Sequence, residues 1–239
     1  MTSDRTVVSA GVAAILFGVL GIAAGVMTGH PPMPEKPVAE IVAWYHHHRQ
    51  GVYVSQLLLA VAAVALLWFA ASVRHALAGR NGPAPGHAAV FSASSTAAVA
   101  LFIVGGWAQL ALAVGVNRVG EPPSPPSVRL LSDLTWLHWG GLTIVIAVVA
   151  ASLSMVLFDG AVGARWVGGV GVVAAVLSAV GGVAAFFPNL AGKQNPLGLF
   201  GFIGFLVLAL TALLAGVTMI GGSSVRSGQA NENVVGAAR

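Results

Sequence analysis

The chain has 239 residues, of which 57% are hydrophobic and only 8% are charged, and its formal net charge is +4. In an ordinary soluble domain roughly a quarter of the residues are charged, so this composition excludes a soluble globular fold. The eleven Lys and Arg residues stand singly between apolar stretches, which excludes a nucleic-acid-binding surface, and the absence of Cys excludes disulfides, iron–sulfur clusters and cysteine nucleophiles.

Six apolar stretches are each long enough to cross a bilayer, which takes about 20 residues of helix. Their apolar residues run continuously instead of alternating with period two, which is typical of helices. We therefore predict an all-α polytopic membrane protein, in which residues 1–221 form a bundle of six transmembrane helices with a short outer interfacial helix. The predicted spans are residues 7–27, 52–73, 88–114, 137–157, 166–187 and 197–220.

The first span follows Arg5 but is too long for the apolar core of a secretory signal, so we expect it to remain as an uncleaved helix. The next segment, "TGHPPMPEKPVAEIVAWYHHHRQ", begins with prolines that end this helix, and its Pro37 is suited to the first turn of another. Ile41, Trp44 and Tyr45 then fall on neighbouring helical positions, with the histidines partly opposed. This pattern predicts a short amphipathic helix at the membrane surface.

A second long connection, "VNRVGEPPSPPSVRLLSDLTWLHWGG", leads into the fourth predicted span. Residues 121–126 within it have the composition of a stiff polyproline II segment, which serves either as a rigid spacer or as a docking strip. The last stretch of the chain, residues 222–239, is rich in Gly, Ser and Asn, and we predict a flexible cytoplasmic tail.

Basic residues near the helix ends favour one orientation by a narrow margin. Six spans place both termini on one side. If that side is cytoplasmic, the basic residues on it outnumber those outside by six to five: Arg5, Arg74, Arg80, Arg165, Arg226 and Arg239 against Lys36, Arg49, Arg118, Arg129 and Lys193. We therefore predict a multi-pass protein of the cytoplasmic membrane with both termini in the cytoplasm.

The polar residues inside the predicted spans are uncharged. No ionisable side chain lies deep in a span, which argues against a carboxylate-driven ion pump. Gln56 and Gln109 are the most informative, because each lies near the outer end of its helix. They either form a hydrogen bond across the bundle that holds helices together or line a small polar vestibule.

Glycine is abundant, with 31 residues, and several glycines recur at helix-packing intervals. They are Gly21 and Gly25 in the first span, Gly168, Gly169 and Gly171 in the fifth, and Gly198, Gly201 and Gly204 in the sixth. Glycine lets helix backbones approach closely in lipid. These faces therefore predict close packing within the chain, with a membrane-protein partner or a homodimer as the alternative.

Five of the seven histidines lie on the predicted outer side: His30, His46, His47, His48 and His138. Imidazole is a common ligand of zinc and copper, so His47 and His138 are the candidate metal ligands. Consecutive histidines diverge by about 100° each on a helix, which leaves at most one of the three adjacent ones to share an ion with His138. The competing interpretation is that the histidines belong to a hydrated segment at the outer membrane surface, beside an aromatic belt that includes Trp44 and Trp139.

Two stretches define the general character of this Ala-, Val- and Gly-rich chain: "AEIVAWYHHHRQGVYVSQLLLAVAAVALLWFAASVRHAL" and "RWVGGVGVVAAVLSAVGG". With them, the chain resembles the uncharacterised six-helix integral membrane proteins of actinobacteria, a family of unknown function. The resemblance covers most of the chain and rests on pattern, not on a diagnostic motif. It implies the fold and a membrane location, and no activity, cofactor or catalytic residue.

Three functions remain open. The leading hypothesis is a non-enzymatic accessory or interaction subunit, whose partners are the lipid bilayer and another membrane protein or a second copy. The alternative is a small-solute transporter or channel with Gln56 and Gln109 near its mouth. The second alternative is a membrane redox or metal-binding subunit that uses the outer histidines. The usual catalytic motifs are absent from the sequence, so we predict no catalytic residue and no cofactor.

Overall fold

Seven α-helices contain nearly all of the residues that the structure, a computed structural model, describes. The described residues are 2–29, 31–33, 35–81, 86–117, 124–160, 162–186 and 196–237. In chain order the helices are α1 (Thr2–Thr28), α2 (Val38–His47), α3 (Arg49–Asn81), α4 (Gly86–Gly115), α5 (Pro125–Phe158), α6 (Arg165–Phe186) and α7 (Pro196–Ala237).

Every helix except the short α2 is long and apolar enough to cross a membrane. Helices are favoured there because hydrocarbon offers no hydrogen-bonding partner to the backbone, and a helix satisfies its own N–H and C=O groups. The predicted all-α fold, with six spans and one short extra helix, is therefore confirmed. The chain is a multi-pass membrane protein.

All of the long helices except α6 extend beyond the predicted spans, and α5 shows that a capping residue, not hydropathy, can set the start of a helix. The largest difference is at α5, which begins at Pro125 instead of near residue 137. The side chain of Ser124 accepts a hydrogen bond from the Ser127 amide, and Pro125 takes the first helical position, where its missing N–H costs nothing. The polyproline II prediction for residues 121–126 is thus wrong for Pro125 and Pro126, while residues 121–123 lie outside the described residues.

At the other end of the chain, α7 continues beyond the predicted sixth span as far as Ala237. The backbone of most of residues 222–239 is therefore helical, although we expected no regular structure from their composition. A helix that is already formed extends at little cost, whereas starting a new one is unfavourable. The flexibility of this tail stays a prediction.

The six long helices form a closed ring in the order α1, α3, α4, α5, α6 and α7, with α7 packing back against α1. In addition, α5 contacts α7 across the ring. Apolar side chains fill the centre, and the largest fully buried ones include Phe17, Phe69, Phe91 and Phe205. Phe102 and Phe205 meet edge to face with their ring centres 5.7 Å apart, which joins α4 to α7 through the middle of the bundle.

Most of the glycines that we expected at close-packed positions face neighbouring helices of the same chain. Gly21 and Gly25 of α1 face α7, Gly168 and Gly171 of α6 face α5, Gly204 of α7 faces α6, and Gly201 of α7 faces both α5 and α6. Intramolecular packing therefore uses these faces. Gly169 differs, because a Cβ added there would have no atom of the described residues within 4 Å.

Strongly polar side chains mark two levels on α3, α4 and α5, and only apolar, small or hydroxyl side chains lie between the two levels. With a rise of 1.5 Å per residue, the levels are about 27 to 33 Å apart, close to the roughly 30 Å thickness of bilayer hydrocarbon. The pairs that mark the levels are Gln56 and Arg74, Gln109 and His87, and His138 and Asp159. Gln56, Gln109 and His138 therefore lie at one end of an apolar stretch that is about as long as bilayer hydrocarbon is thick.

Candidate functional site

The short helix α2 covers one end of the ring, where α3 begins, α4 ends and α5 begins; we call this the α2 end. Ile41 and Tyr45 on the inward face of α2 are buried, and they pack with Val52, Leu112 and Val128 in an apolar cluster. On its outward face, His46 and His47 are exposed. The predicted amphipathic character of this helix is thus confirmed, and α2 forms a lid over the bundle.

His48 lies at the break between α2 and α3, where it caps the shorter helix. Its backbone N–H donates to the Trp44 carbonyl, and its ring Nδ1 lies 2.9 Å from the same oxygen. The ring also stacks on the Trp44 indole, with ring centres 4.4 Å apart. A second connection ties the preceding loop down, because the Trp136 indole donates a 3.1 Å hydrogen bond to the Pro32 carbonyl. Two contacts therefore fix the lid at the α2 end.

Beneath the lid, Gln56 of α3 and Gln109 of α4 are paired directly. Gln56 Nε2 donates to Gln109 Oε1 over 2.7 Å, and the two residues are only 8% and 3% exposed. The predicted hydrogen bond across helices is therefore confirmed. Inside the bundle no water is available to form hydrogen bonds with a buried amide, so the two amides satisfy each other. The bond therefore holds α3 against α4. That the pair also lines a vestibule stays a prediction.

Two adjacent glycines of α4 make room for the polar side chains of α3 and α5. A Cβ at Gly105 would overlap the His138 imidazole, and one at Gly106 would lie 2.6 Å from Gln56 Oε1. The His138 ring thus rests directly on the α4 backbone, half-buried and one helical turn below Gln109. We call Gln56, Gln109 and His138, with the two glycines beneath them, the polar layer.

The glycines of the polar layer were not among the residues that we singled out from the sequence. The signal that marks them is the pair itself, "VGGWAQ". A glycine inside a helix costs about 1 kcal/mol relative to alanine, so such a pair is compatible with a close approach of other groups to the backbone. The pair alone does not locate that approach, because Gly169, in the adjacent pair of α6, meets nothing within 4 Å.

The candidate metal ligands lie on two different surfaces of the α2 end. His47 is exposed on the lid, and its nearest ring contact is with His46, at a centre-to-centre distance of 6.3 Å. His138 lies in the polar layer, with Trp139 at 6.4 Å. In the part of the chain that the structure describes, no three His, Asp or Glu side chains converge on one point. A shared metal between His47 and His138 stays a prediction.

At the opposite end of the ring, a histidine and a carboxylate connect α4 to α5. His87 Nε2 lies 2.7 Å from Asp159 Oδ2, without the alignment of a good hydrogen bond, so the contact is mainly one of charge when the imidazole is protonated. The neighbouring turn is held against α7, because the Ala164 amide donates to Thr218 Oγ1. These contacts fasten the ends of α4, α5 and α7, and we assign them a structural role.

Burial of Tyr45 gives the lid a measurable pH dependence. The apolar surroundings raise the pKa of its hydroxyl above the ordinary value of about 10, because the phenolate would lose its hydration there. The hydroxyl therefore loses its proton at a lower pH in the unfolded chain than in the folded protein. The neutral hydroxyl contributes its full stabilisation of the docked lid below about pH 10, and this contribution is lost as the pH rises further.

The chain has two tyrosines, so the variant Tyr53→Phe leaves Tyr45 as the only one. In this variant we expect the tyrosinate absorbance of the folded protein in detergent to rise only well above pH 10. The same variant unfolded in guanidinium should titrate near 10. Equal midpoints in the two states would show that Tyr45 is not buried between the lid and the bundle.

The comparisons with known proteins add no relative. No protein-family model, no curated protein and no solved structure matches the chain. The resemblance to the actinobacterial proteins therefore stays an expectation. The six spans show that the chain is a multi-pass membrane protein.

Proposed function

We propose that the chain is a non-enzymatic membrane subunit that binds another membrane-spanning chain through the outward face of α6. The observation that carries this proposal is the low burial of α6. Only 33% of the residues in its most apolar stretch are buried within the bundle, compared with 44 to 56% of the residues in the corresponding stretches of the other five spans. Of the six spans, α6 thus offers the largest share of its surface to the membrane.

The residues on this surface support binding of a helix rather than of lipid alone. Gly169, Val172, Val176 and Val183 lie three, four and seven residues apart along one face, and all are exposed. Small residues and valines, whose side chains have few rotamers to lose, favour close contact between helices in a bilayer. We call this surface, which also includes Val173 and Val180, the α6 face.

The interior of the bundle is a weaker basis for a function. Phenylalanines fill the middle of the ring, and the polar layer at one end satisfies itself in part through the Gln56–Gln109 hydrogen bond. A transported solute would need to displace this packing. We therefore rank the transporter hypothesis second. We also propose that both termini are cytoplasmic, which places α2 and its histidines on the outer surface.

A bulky residue on the α6 face tests the proposal. We expect the native protein, expressed at its natural level and extracted in mild detergent, to purify with a stoichiometric partner or as a defined dimer. The variant Val176→Trp should lose this association and remain folded, because the side chain of Val176 is 56% exposed and a larger one can extend outward from the bundle.

The matched control is Val104→Trp on α4, where the native side chain is 65% exposed. This variant should keep the partner. A native protein that purifies as a lone monomer would contradict the proposal, and so would equal loss of association in the two tryptophan variants. Circular dichroism of each variant would establish that the helices are intact.

A further inference from the structure

His138 lies in a notch of α4 and makes no hydrogen bond to any other residue that the structure describes. Its neighbours Leu134 and Leu137 on α5 are exposed on the outside of the bundle, whereas Thr135 and Leu142 are buried inside it. Half-buried between these two faces, the imidazole lies at the seam where α4 meets α5. The imidazole is therefore partly exposed beside the outward-facing leucines of α5.

A second hydrogen-bonding group lies beside the imidazole. Gln109 is one turn from Gly105 on the same face of α4, which separates such positions by about 6 Å. Because Gln56 Nε2 donates to Gln109 Oε1, the amino group of Gln109 keeps both of its N–H groups outside this bond. The imidazole against Gly105 and the amide of Gln109 thus stand one helical turn apart along α4.

The depth of this pair in the membrane narrows the chemistry of what it binds. Both groups lie at the hydrocarbon boundary, about 30 Å from the polar residues at the other end of the ring. Donors at this depth without partners are costly, and they suit an acceptor carried by a molecule dissolved in the bilayer. A carbonyl oxygen is such an acceptor.

We propose that the seam between α4 and α5 binds the carbonyl headgroup of a membrane-soluble molecule, to which His138 and the amide pair donate hydrogen bonds. Two kinds of molecule carry this chemistry at this depth: a quinone ring and the acyl ester of a phospholipid. The site uses α4 and α5, not the α6 face, so it stands independently of the proposed binding of a partner.

The test is the ring ¹⁵N chemical shift of His138 in nanodiscs, assigned by its loss in His138→Gln. Discs of ether-linked lipid, which lacks ester carbonyls, are titrated with a short-chain naphthoquinone and compared with discs of ester-linked lipid. A saturable shift on adding quinone identifies a quinone site, and a shift on exchanging ether for ester lipid identifies a lipid site. If His138 has the same shift in all three conditions, the proposal is overturned. His75, exposed near the far end of α3, is the internal reference and should not respond.

Two glycine variants separate this site from general changes in structure. Gly105→Ala should displace the imidazole from its notch and abolish the response. Gly141→Ala on α5 should keep it, since an added Cβ there meets nothing within 4 Å. If Gly105→Ala does not fold, Gln109→Leu retains the notch and should weaken binding about tenfold through the lost donor. An unchanged affinity in Gln109→Leu would contradict the assignment of Gln109 as a donor in the site.

Discussion

Replacing Gly181 with alanine should destabilise the bundle by about 3 kcal/mol, at the upper end of the usual cost of overpacking. Gly181 of α6 lies against Gly201 of α7 so closely that an added Cβ would overlap the backbone nitrogen and Cα of Gly201. Side chains can rotate away from a new methyl group, but a backbone cannot. The two helices would have to separate along their contact, and the free energy of unfolding, measured by detergent denaturation, should fall accordingly.

Gly169→Ala is the matched control, because it makes the same substitution in the same helix. With nothing within 4 Å of the added Cβ, we expect unchanged or slightly increased stability, since alanine favours the helix by up to about 1 kcal/mol relative to glycine. Similar losses in Gly169→Ala and Gly181→Ala would show that the close crossing of α6 and α7 is not as the structure has it.

The second large effect is expected at the amide pair. Gln56→Leu and Gln109→Leu each leave one buried amide without its partner, and each should lower the free energy of unfolding by about 1 to 3 kcal/mol. The double variant leaves no amide stranded and replaces both by apolar groups of similar size. It should therefore be less destabilised than the sum of the single variants.

A double-mutant cycle on these two residues measures their coupling directly. Independent sites add to within about 0.3 to 0.5 kcal/mol, so a coupling clearly beyond that range confirms the direct bond in the folded protein. Interhelical hydrogen bonds in membranes are often worth less than 1 kcal/mol, so the cost of the stranded amide should dominate each single variant. Strict additivity would contradict the pairing of Gln56 with Gln109.

The architecture could be predicted from the sequence because the strongest constraint on it is chemical. Stretches of about 20 apolar residues have few alternatives to crossing a bilayer as helices. The ends of the helices were less predictable, because local capping also sets them. The Ser124 cap places the start of α5 well before the apolar stretch begins. The order of helices in the ring could not be predicted, because their apolar faces are chemically interchangeable.

The polar layer was only partly predictable. Gln56 and Gln109 stood out as amides near the outer ends of two spans, and a hydrogen bond across the bundle was one of two expectations for them, beside a polar vestibule; the structure shows the bond. The position of His138 could not, because it depends on how α5 crosses α4 at Gly105, which is a property of the assembled bundle. The helix α2 was predictable from the helical spacing in residues 38–47, since Ile41 and Tyr45 share one face of it, but its packing over the end of the ring was not.

The most direct test of the proposed function is a photo-cross-linking scan in native membranes. A photoreactive amino acid is placed in turn at Val172, Val176 and Val183 on the α6 face, and at the still more exposed Leu57 and Val104 on other helices. We predict one protein adduct of constant mass from the three α6 positions and none from the other two. Adducts to lipid alone at α6, or the same protein adducts from all five positions, would contradict the assignment of α6 as the surface that binds a partner.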